Sequence, residues 1–98
     1  MQRIEKNDIN IKEWFTVKSD SHMCTCSVVG TDTEGNFIYE SSIMDNMGPS
    51  YFMRSVYYSI TLAELEQYAK QALDNGKITN EQYKNILKEA EEISQKDL

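Results

Sequence analysis

The side chains with the chemistry closest to a metal site are one imidazole and two thiols, at His22, Cys24 and Cys26. They are spaced by two, so on a strand they would project from one face. Neighbours on one strand face lie roughly 6.6 Å apart, whereas thiolates around one zinc ion lie roughly 3.8 Å apart. A bulge would be required to close that gap, and no fourth ligand stands at a recognisable spacing. A small metal or redox protein is therefore one hypothesis, and the alternative is that both cysteines fill core positions as small apolar groups.

The single histidine also restricts acid–base catalysis. Ser21 precedes His22, but adjacent residues of a strand point to opposite faces, so the two cannot form a nucleophile and its base. The sequence contains neither a Gly-x-Ser-x-Gly elbow nor a Gly-rich phosphate loop. Two cysteines separated by one residue on a strand are also poorly oriented for a disulfide. We therefore expect a protein without catalytic activity, without a cofactor and with reduced thiols.

The charge of the chain indicates the kind of partner that it suits. The chain has 98 residues and a net charge of −6, and its length predicts one domain over residues 1–98. Between residues 21 and 60, Arg54 is the only basic residue, against four acidic ones. Such a stretch cannot neutralise many phosphates, which argues against direct nucleic-acid binding, whereas the acidic charge suits a protein partner with a basic surface.

Hydropathy gives no sign of a membrane protein. No apolar run approaches the roughly 18 residues that a membrane span needs. The first ten residues are polar and mixed in charge, which is not the pattern of a signal peptide. We therefore expect a cytoplasmic protein that does not contact a membrane.

Alternating apolar residues predict the strands that would position these side chains. Residues 1–9 lack a period and are predicted to fray or to form a short turn. Turn residues separate the candidate strands, and the second and third strands form the clearest hairpin. The predicted strands cover residues 11–18, 23–29, 37–44 and 51–59, with turns or loops at 19–21, 31–36 and 45–50. Residues 11–59 are therefore expected to form a three- or four-stranded antiparallel sheet.

A helix-start signal occurs twice in the last forty residues. Thr61 and Thr79 can each cap a helix, and Glu64 and Gln82 stand three residues later, where they can reach back to the cap. Between them, Gly76 suits the left-handed turn that ends a helix. The predicted helices cover residues 62–74 and 80–94 of a hairpin over 60–94, followed by a tail over 95–98. Each predicted helix has one apolar face, so we expect an antiparallel hairpin packed on one face of the sheet, which is an α+β fold.

The preferred hypothesis is a non-catalytic, acidic protein-binding module. It would act as an inhibitor that places acidic and aromatic surface in the basic cleft of a nucleic-acid-handling protein. The alternative for the aromatic residues, Trp14 included, is that they fill the core under the helices. The predicted contact residues are Asp32, Glu34, Glu40, Asp45, Tyr51 and Tyr57.

Residues 65–87 resemble the short C-terminal helical hairpins called SHOCT domains. The pattern is a helix that ends in Gly76, then Ile78-Thr79, an acidic residue and an aromatic, here Glu81 and Tyr83. The resemblance implies an oligomerisation or docking role for the hairpin, so a structural adaptor that forms a homo-oligomer is a second hypothesis. Its intersubunit seam would consist of Leu62, Leu65, Ile86 and Ile93. By size and charge the whole chain also resembles inhibitors that phages and mobile elements use against bacterial defence, including anti-CRISPR proteins.

Overall fold

The computed structural model describes residues 1–5, 9–47 and 50–96, and for residues 44–47, 50–53 and 96 it describes the backbone without the side chains. Five strands and two helices lie within these residues. In chain order they are β1 (Gln2–Ile4), β2 (Lys12–Asp20), β3 (Thr25–Thr31), β4 (Phe37–Met47), β5 (Ser50–Ser59), α1 (Leu62–Asp74) and α2 (Asn80–Lys96). A β-rich part is therefore followed by two helices, as predicted.

The strands form one antiparallel sheet in the order β1-β5-β4-β3-β2. The α+β class is confirmed, but the described sheet has five strands where three or four were predicted. The additional strand is β1, which pairs Gln2 with Ser59 and Ile4 with Tyr57 at the edge of β5. The prediction that residues 1–9 fray or form a turn is wrong for this strand. Three residues carry no periodicity of their own, and β1 is held by pairing with a strand that is distant in sequence.

One face of the sheet, the helix face, is covered by the helices over part of its area. Val29, Tyr39 and Tyr58 lie opposite one another in register and share this face. Tyr68 of α1 stacks on Tyr39, with ring centroids 4.5 Å apart and an interplanar angle of 26°. The buried cluster under the helices consists of Phe15, Val17, Val29, Tyr39, Ile60, Leu65, Ala69, Ala72 and Ala90. Packing of an amphipathic helical pair on a sheet is thus the main source of the core.

Both predicted helix caps are confirmed. The Thr61 hydroxyl accepts from the Glu64 N–H at 3.2 Å, and the Glu64 carboxylate accepts from the Thr61 N–H at 3.1 Å. Gln82 and Thr79 make the same reciprocal pair, at 3.1 and 2.8 Å. Each pair satisfies two backbone donors that a helix start leaves without an intrahelical partner. Within the described residues, neither helix is both long and apolar enough to cross a membrane.

The turn between the helices ends α1 and ties the helical pair to the sheet. Gly76 has φ +71, and its N–H donates to the Leu73 carbonyl, while the Lys77 N–H donates to the Ala72 carbonyl at 2.9 Å, which is a Schellman motif. The Asn75 side chain donates to the Val17 carbonyl of β2 at 3.1 Å. After this turn, α2 continues to Lys96, so the prediction of a tail over 95–98 is wrong for its first two residues, and the last two lie outside the described residues.

The first hairpin turns later in the chain than predicted. β2 continues through Asp20, and the turn occupies residues 21–24 rather than 19–21. The Asp20 carboxylate accepts from the N–H groups of His22 and Met23, at 2.9 and 3.3 Å, and so stabilises the start of the turn. Cys24 ends the turn with φ +55, in the left-handed region.

β2 is an irregular edge strand. Its register with β3 shifts twice, between Glu13 and Phe15 and between Thr16 and Lys18. At the first shift the β2 backbone lies close to Gly30, where an added Cβ would be 2.1 Å from the Lys12 carbonyl oxygen. Bulges of this kind bend a strand and make an exposed sheet edge less able to pair with a strand of another molecule.

The β4–β5 hairpin extends beyond the rest of the sheet. β3 begins at Thr25, which pairs with Ile43, whereas the β4–β5 register continues to Met47 opposite Ser50. The predicted loop over 45–50 is therefore wrong for Asp45 to Met47 and for Ser50, which are strand residues, and Gly48 and Pro49 lie outside the described residues. We call the two-stranded ribbon formed by residues 44–47 and 50–53 the arm.

Candidate interaction surface

The helices leave one end of the helix face uncovered, next to the arm. A hollow of about 600 Å³ lies there. Ile43 at its side is 42% exposed, which makes it one of the few exposed large apolar side chains among the described residues. The hollow is lined by Arg3, Ser41, Ile43, Arg54, Ser55, Val56 and Tyr58. An uncovered surface that combines apolar, hydroxyl and guanidinium groups is typical of a site that contacts another macromolecule.

Strand register explains how this hollow forms. Ile43 lies opposite Arg54, and Ser41 lies opposite Val56, so four side chains of β4 and β5 point to the same face. β1 adds Arg3, which pairs with Tyr58 at the outer edge of β5. Two guanidinium groups from distant parts of the sequence therefore line one surface. Guanidinium groups and hydroxyls donate hydrogen bonds, so this surface can bind carboxylates or main-chain carbonyls.

Two of the predicted contact residues, Asp45 and Tyr51, lie in the arm beside this hollow. In register, Asp45 is opposite Phe52 and Tyr51 is opposite Asn46. Their side chains lie outside the described part of the structure. Their role in binding stays a prediction, and their backbone positions place them at the same end of the sheet as Ile43.

Asp32 and Glu34 lie at the opposite end of the sheet, in the β3–β4 turn. The Asp32 carboxylate accepts from the N–H groups of Glu34 and Asn36, each at 2.9 Å, and from the Asn36 side chain at 3.0 Å. Partial burial raises the pKa of Asp32, but these hydrogen bonds outweigh it and lower the pKa below its usual value. The Asp32 carboxylate is thus engaged in holding the turn, while Glu34 is exposed.

Glu40 and Tyr57 are paired in the middle of the sheet, on the face away from the helices, which we call the far face. Tyr57 is 8% exposed and is therefore a buried residue of the far face, and Val28, on the other side of Glu40, is 6% exposed. The Glu40 carboxylate accepts from the Ser42 hydroxyl at 3.1 Å and is half-buried. The six predicted contact residues therefore lie in three separate places rather than on one acidic patch.

The metal candidates do not share a strand face, because His22 and Cys24 lie in the turn and Cys26 lies in β3. The interpretation of both cysteines as core residues is also wrong, because Cys24 is exposed and Cys26 is half-buried, and both thiols are free. Among the described residues, no group of three or more His, Cys, Asp and Glu side chains is arranged to hold a metal ion. Both cysteines nevertheless line one hollow at the turn.

The seam proposed for a homo-oligomer lies largely inside the molecule. Leu65 has no exposed surface and belongs to the central core, and Leu62 and Ile86 pack against that core. Ile93 is half-buried. Leu65 is therefore not available to an intersubunit contact, and the homo-oligomer stays a hypothesis.

Trp14 is half-buried and contacts Phe37 edge-to-face, with ring centroids 6.0 Å apart.

None of the seven described residues that line the uncovered hollow is among the predicted contact residues, and Arg3, Ile43 and Val56 show why. Arg3 carries no local signal, because its position depends on the pairing of β1 with β5. Ile43 and Val56 were readable as strand residues, but their exposure depends on where the helices end. Local sequence does not contain that information.

No family model, no curated protein and no solved structure matches this chain. The similarities of residues 65–87 to SHOCT hairpins and of the whole chain to anti-defence inhibitors accordingly stay hypotheses.

Proposed function

We propose that this protein is a non-catalytic protein-binding module that contacts its partner through the uncovered end of the helix face and the adjoining arm. The observation that carries the proposal is the exposure of Ile43 in a hollow of about 600 Å³ beside a two-stranded ribbon that extends past the rest of the sheet. Interfaces commonly centre on an apolar group surrounded by polar side chains.

The charge of the chain supports a partner with a basic surface. A net charge of −6 produces a negative field that attracts such a partner from a distance and speeds its association. In the contact itself, the Arg3 guanidinium, which lines the hollow, would donate hydrogen bonds to main-chain carbonyl oxygens of the partner. We infer that the chain acts as an inhibitor of a nucleic-acid-handling protein, whose basic groove it would occupy in competition with nucleic acid.

The test compares two substitutions that change the net charge equally at different places. Ile43→Lys introduces a charge into the proposed contact, and Met23→Lys does so in the β2–β3 turn, where Met23 is 67% exposed. The wild type and both variants serve as bait in affinity capture from cell lysate, and captured proteins are then purified for direct titration. We expect Ile43→Lys to weaken binding by at least about tenfold, or about 1.4 kcal/mol, and Met23→Lys to leave it within about twofold.

A second experiment tests the class of partner. If the partner handles nucleic acid, its nucleic acid substrate should compete with the wild-type protein, and binding should weaken as salt concentration rises. Equal binding by Ile43→Lys and the wild type would refute the proposed surface. Binding without salt dependence would refute the role of the charge. Circular dichroism of each variant verifies that its fold is retained.

A further inference from the structure

Cys24 and Cys26 both line a hollow that the proposed contact surface does not include. This hollow of about 340 Å³ lies at the β2–β3 turn. Cys24 approaches it from the turn and Cys26 from the first part of β3. It is lined by Ser19, Asp20, Ser21, Cys24, Thr25, Cys26 and Ser42. One exposed and one half-buried thiol thus border the same solvent-accessible space.

The backbone at Cys24 changes the geometry that a regular strand would impose. Cys24 has φ +55, and its thiol lies 3.7 Å from the Ser21 carbonyl, across the turn. The two cysteines are therefore not regular strand neighbours with parallel side chains, so the strand spacing of roughly 6.6 Å does not apply to them. The other left-handed residues of the described chain are glycines, Gly35 and Gly76. The left-handed backbone disfavours cysteine at this position, so we look for a role of its thiol.

We propose that Cys24 and Cys26 form a two-thiolate site for a soft monovalent cation, of which Cu(I) is the natural example. Thiolates prefer soft ions, and Cu(I) is satisfied by two sulfur ligands, whereas structural zinc needs four ligands. On binding, each thiol loses its proton to solvent, and the two sulfurs then coordinate one cation without any change of oxidation state. The exposed Cys24 is the entry ligand, and the half-buried Cys26 completes the coordination.

The carboxylate that lines this hollow, that of Asp20, is engaged in backbone hydrogen bonds. The Asp20 carboxylate accepts from the N–H groups of His22 and Met23 and so holds the turn. His22 is exposed and is not part of the hollow lining. The site therefore differs from the three-residue set that the sequence suggested, because the imidazole takes no part in it.

The test is an anaerobic titration of the reduced protein with Cu(I) in competition with bathocuproine disulfonate. We expect one Cu(I) per chain, and a loss of affinity of at least about tenfold in both Cys24→Ser and Cys26→Ser, because each removes one of two bonds to the same ion. His22→Ala is the matched control and should bind as the wild type does. Ag(I) should follow the same pattern, since it shares the soft chemistry, and Zn(II) should not bind tightly.

Three results would overturn the proposal. The first is two Cu(I) ions per chain, one on each thiol. The second is retention of affinity within about threefold by Cys24→Ser, a substitution at an exposed position of the turn. The third is a loss of affinity in His22→Ala equal to that of the cysteine variants. Because this site is separate from the surface around Ile43, its failure would leave the proposed partner binding standing, and the reverse also holds.

Discussion

A substitution of Gly30 tests whether the bulge of β2 depends on the absence of a side chain at this position of β3. A Cβ at this position would lie 2.1 Å from the Lys12 carbonyl oxygen, 2.8 Å from its carbonyl carbon and 3.0 Å from the Glu13 Cα. All three atoms belong to the backbone of β2, so no side-chain rotation can relieve the contact. Gly30→Ala therefore requires β2 to move away from β3 by more than an ångström at the Glu13–Gly30 pair.

The size of the effect follows from three contributions. Overpacking costs about 1–3 kcal/mol, and weakening of the local ladder hydrogen bonds adds about 1 kcal/mol. Replacing a strand glycine by alanine returns about 0.5–1 kcal/mol of chain entropy. We expect Gly30→Ala to lower the free energy of unfolding by about 1–3.5 kcal/mol, a large share of the roughly 5–15 kcal/mol typical of a domain.

Urea denaturation followed by circular dichroism measures this change as a fall of about 1–2 M in the midpoint. Gly35→Ala is the control, because it also adds one methyl group but has no atom within 4 Å of the new Cβ. Its φ of +85 predicts a loss of no more than about 1 kcal/mol. The reasoning fails if Gly30→Ala is within about 0.5 kcal/mol of the wild type, or if it is less destabilising than Gly35→Ala.

Two further predictions concern residues of the turns. Cys24→Gly should raise the free energy of unfolding by about 0.5–1 kcal/mol in the same urea assay, because relief of the left-handed cost of about 1–2 kcal/mol exceeds the added glycine entropy; a destabilised variant would contradict this. The folded-state pKa of Asp32 is lowered, so its carboxylate contributes stability above the unfolded-state pKa, and this contribution is lost as the pH falls through the folded-state pKa. Thermal unfolding from neutral pH down to about 2 should therefore show a smaller acid-induced loss in Asp32→Asn than in the wild type, and equal losses in the two proteins would refute the assignment.

The parts of the fold that local chemistry determines were predictable from the sequence. The caps at Thr61 and Thr79 and the stop at Gly76 depend on residues within one helical turn, and the structure has all three. The β3–β4 hairpin likewise depends on a short turn between two alternating segments. The α+β class followed because two amphipathic helices need an apolar face and a sheet provides one.

The features that were not predictable depend on contacts between distant residues. β1 exists because β5 provides an edge for it, and nothing in Gln2 to Ile4 indicates that edge. Asp45 to Met47 read as a loop because Asp and Asn are turn residues, but pairing with β5 overrides that preference. The scattering of the candidate contact residues has the same cause, since a charge count does not reveal which end of the sheet each acidic group occupies.

The order of the strands has a consequence for biosynthesis. β1 and β2 are consecutive in the chain but occupy opposite edges of the described sheet, in which β1 pairs with β5 alone. On the ribosome, β1 emerges before β5, so it cannot make this pairing until β2, β3, β4 and β5 have been translated. The hairpins from β2 to β5 can assemble first, so the pairing of β1 with β5 completes the sheet last. Until β1 pairs, the edge of β5 is the part of a nascent chain most open to pairing with a neighbouring chain.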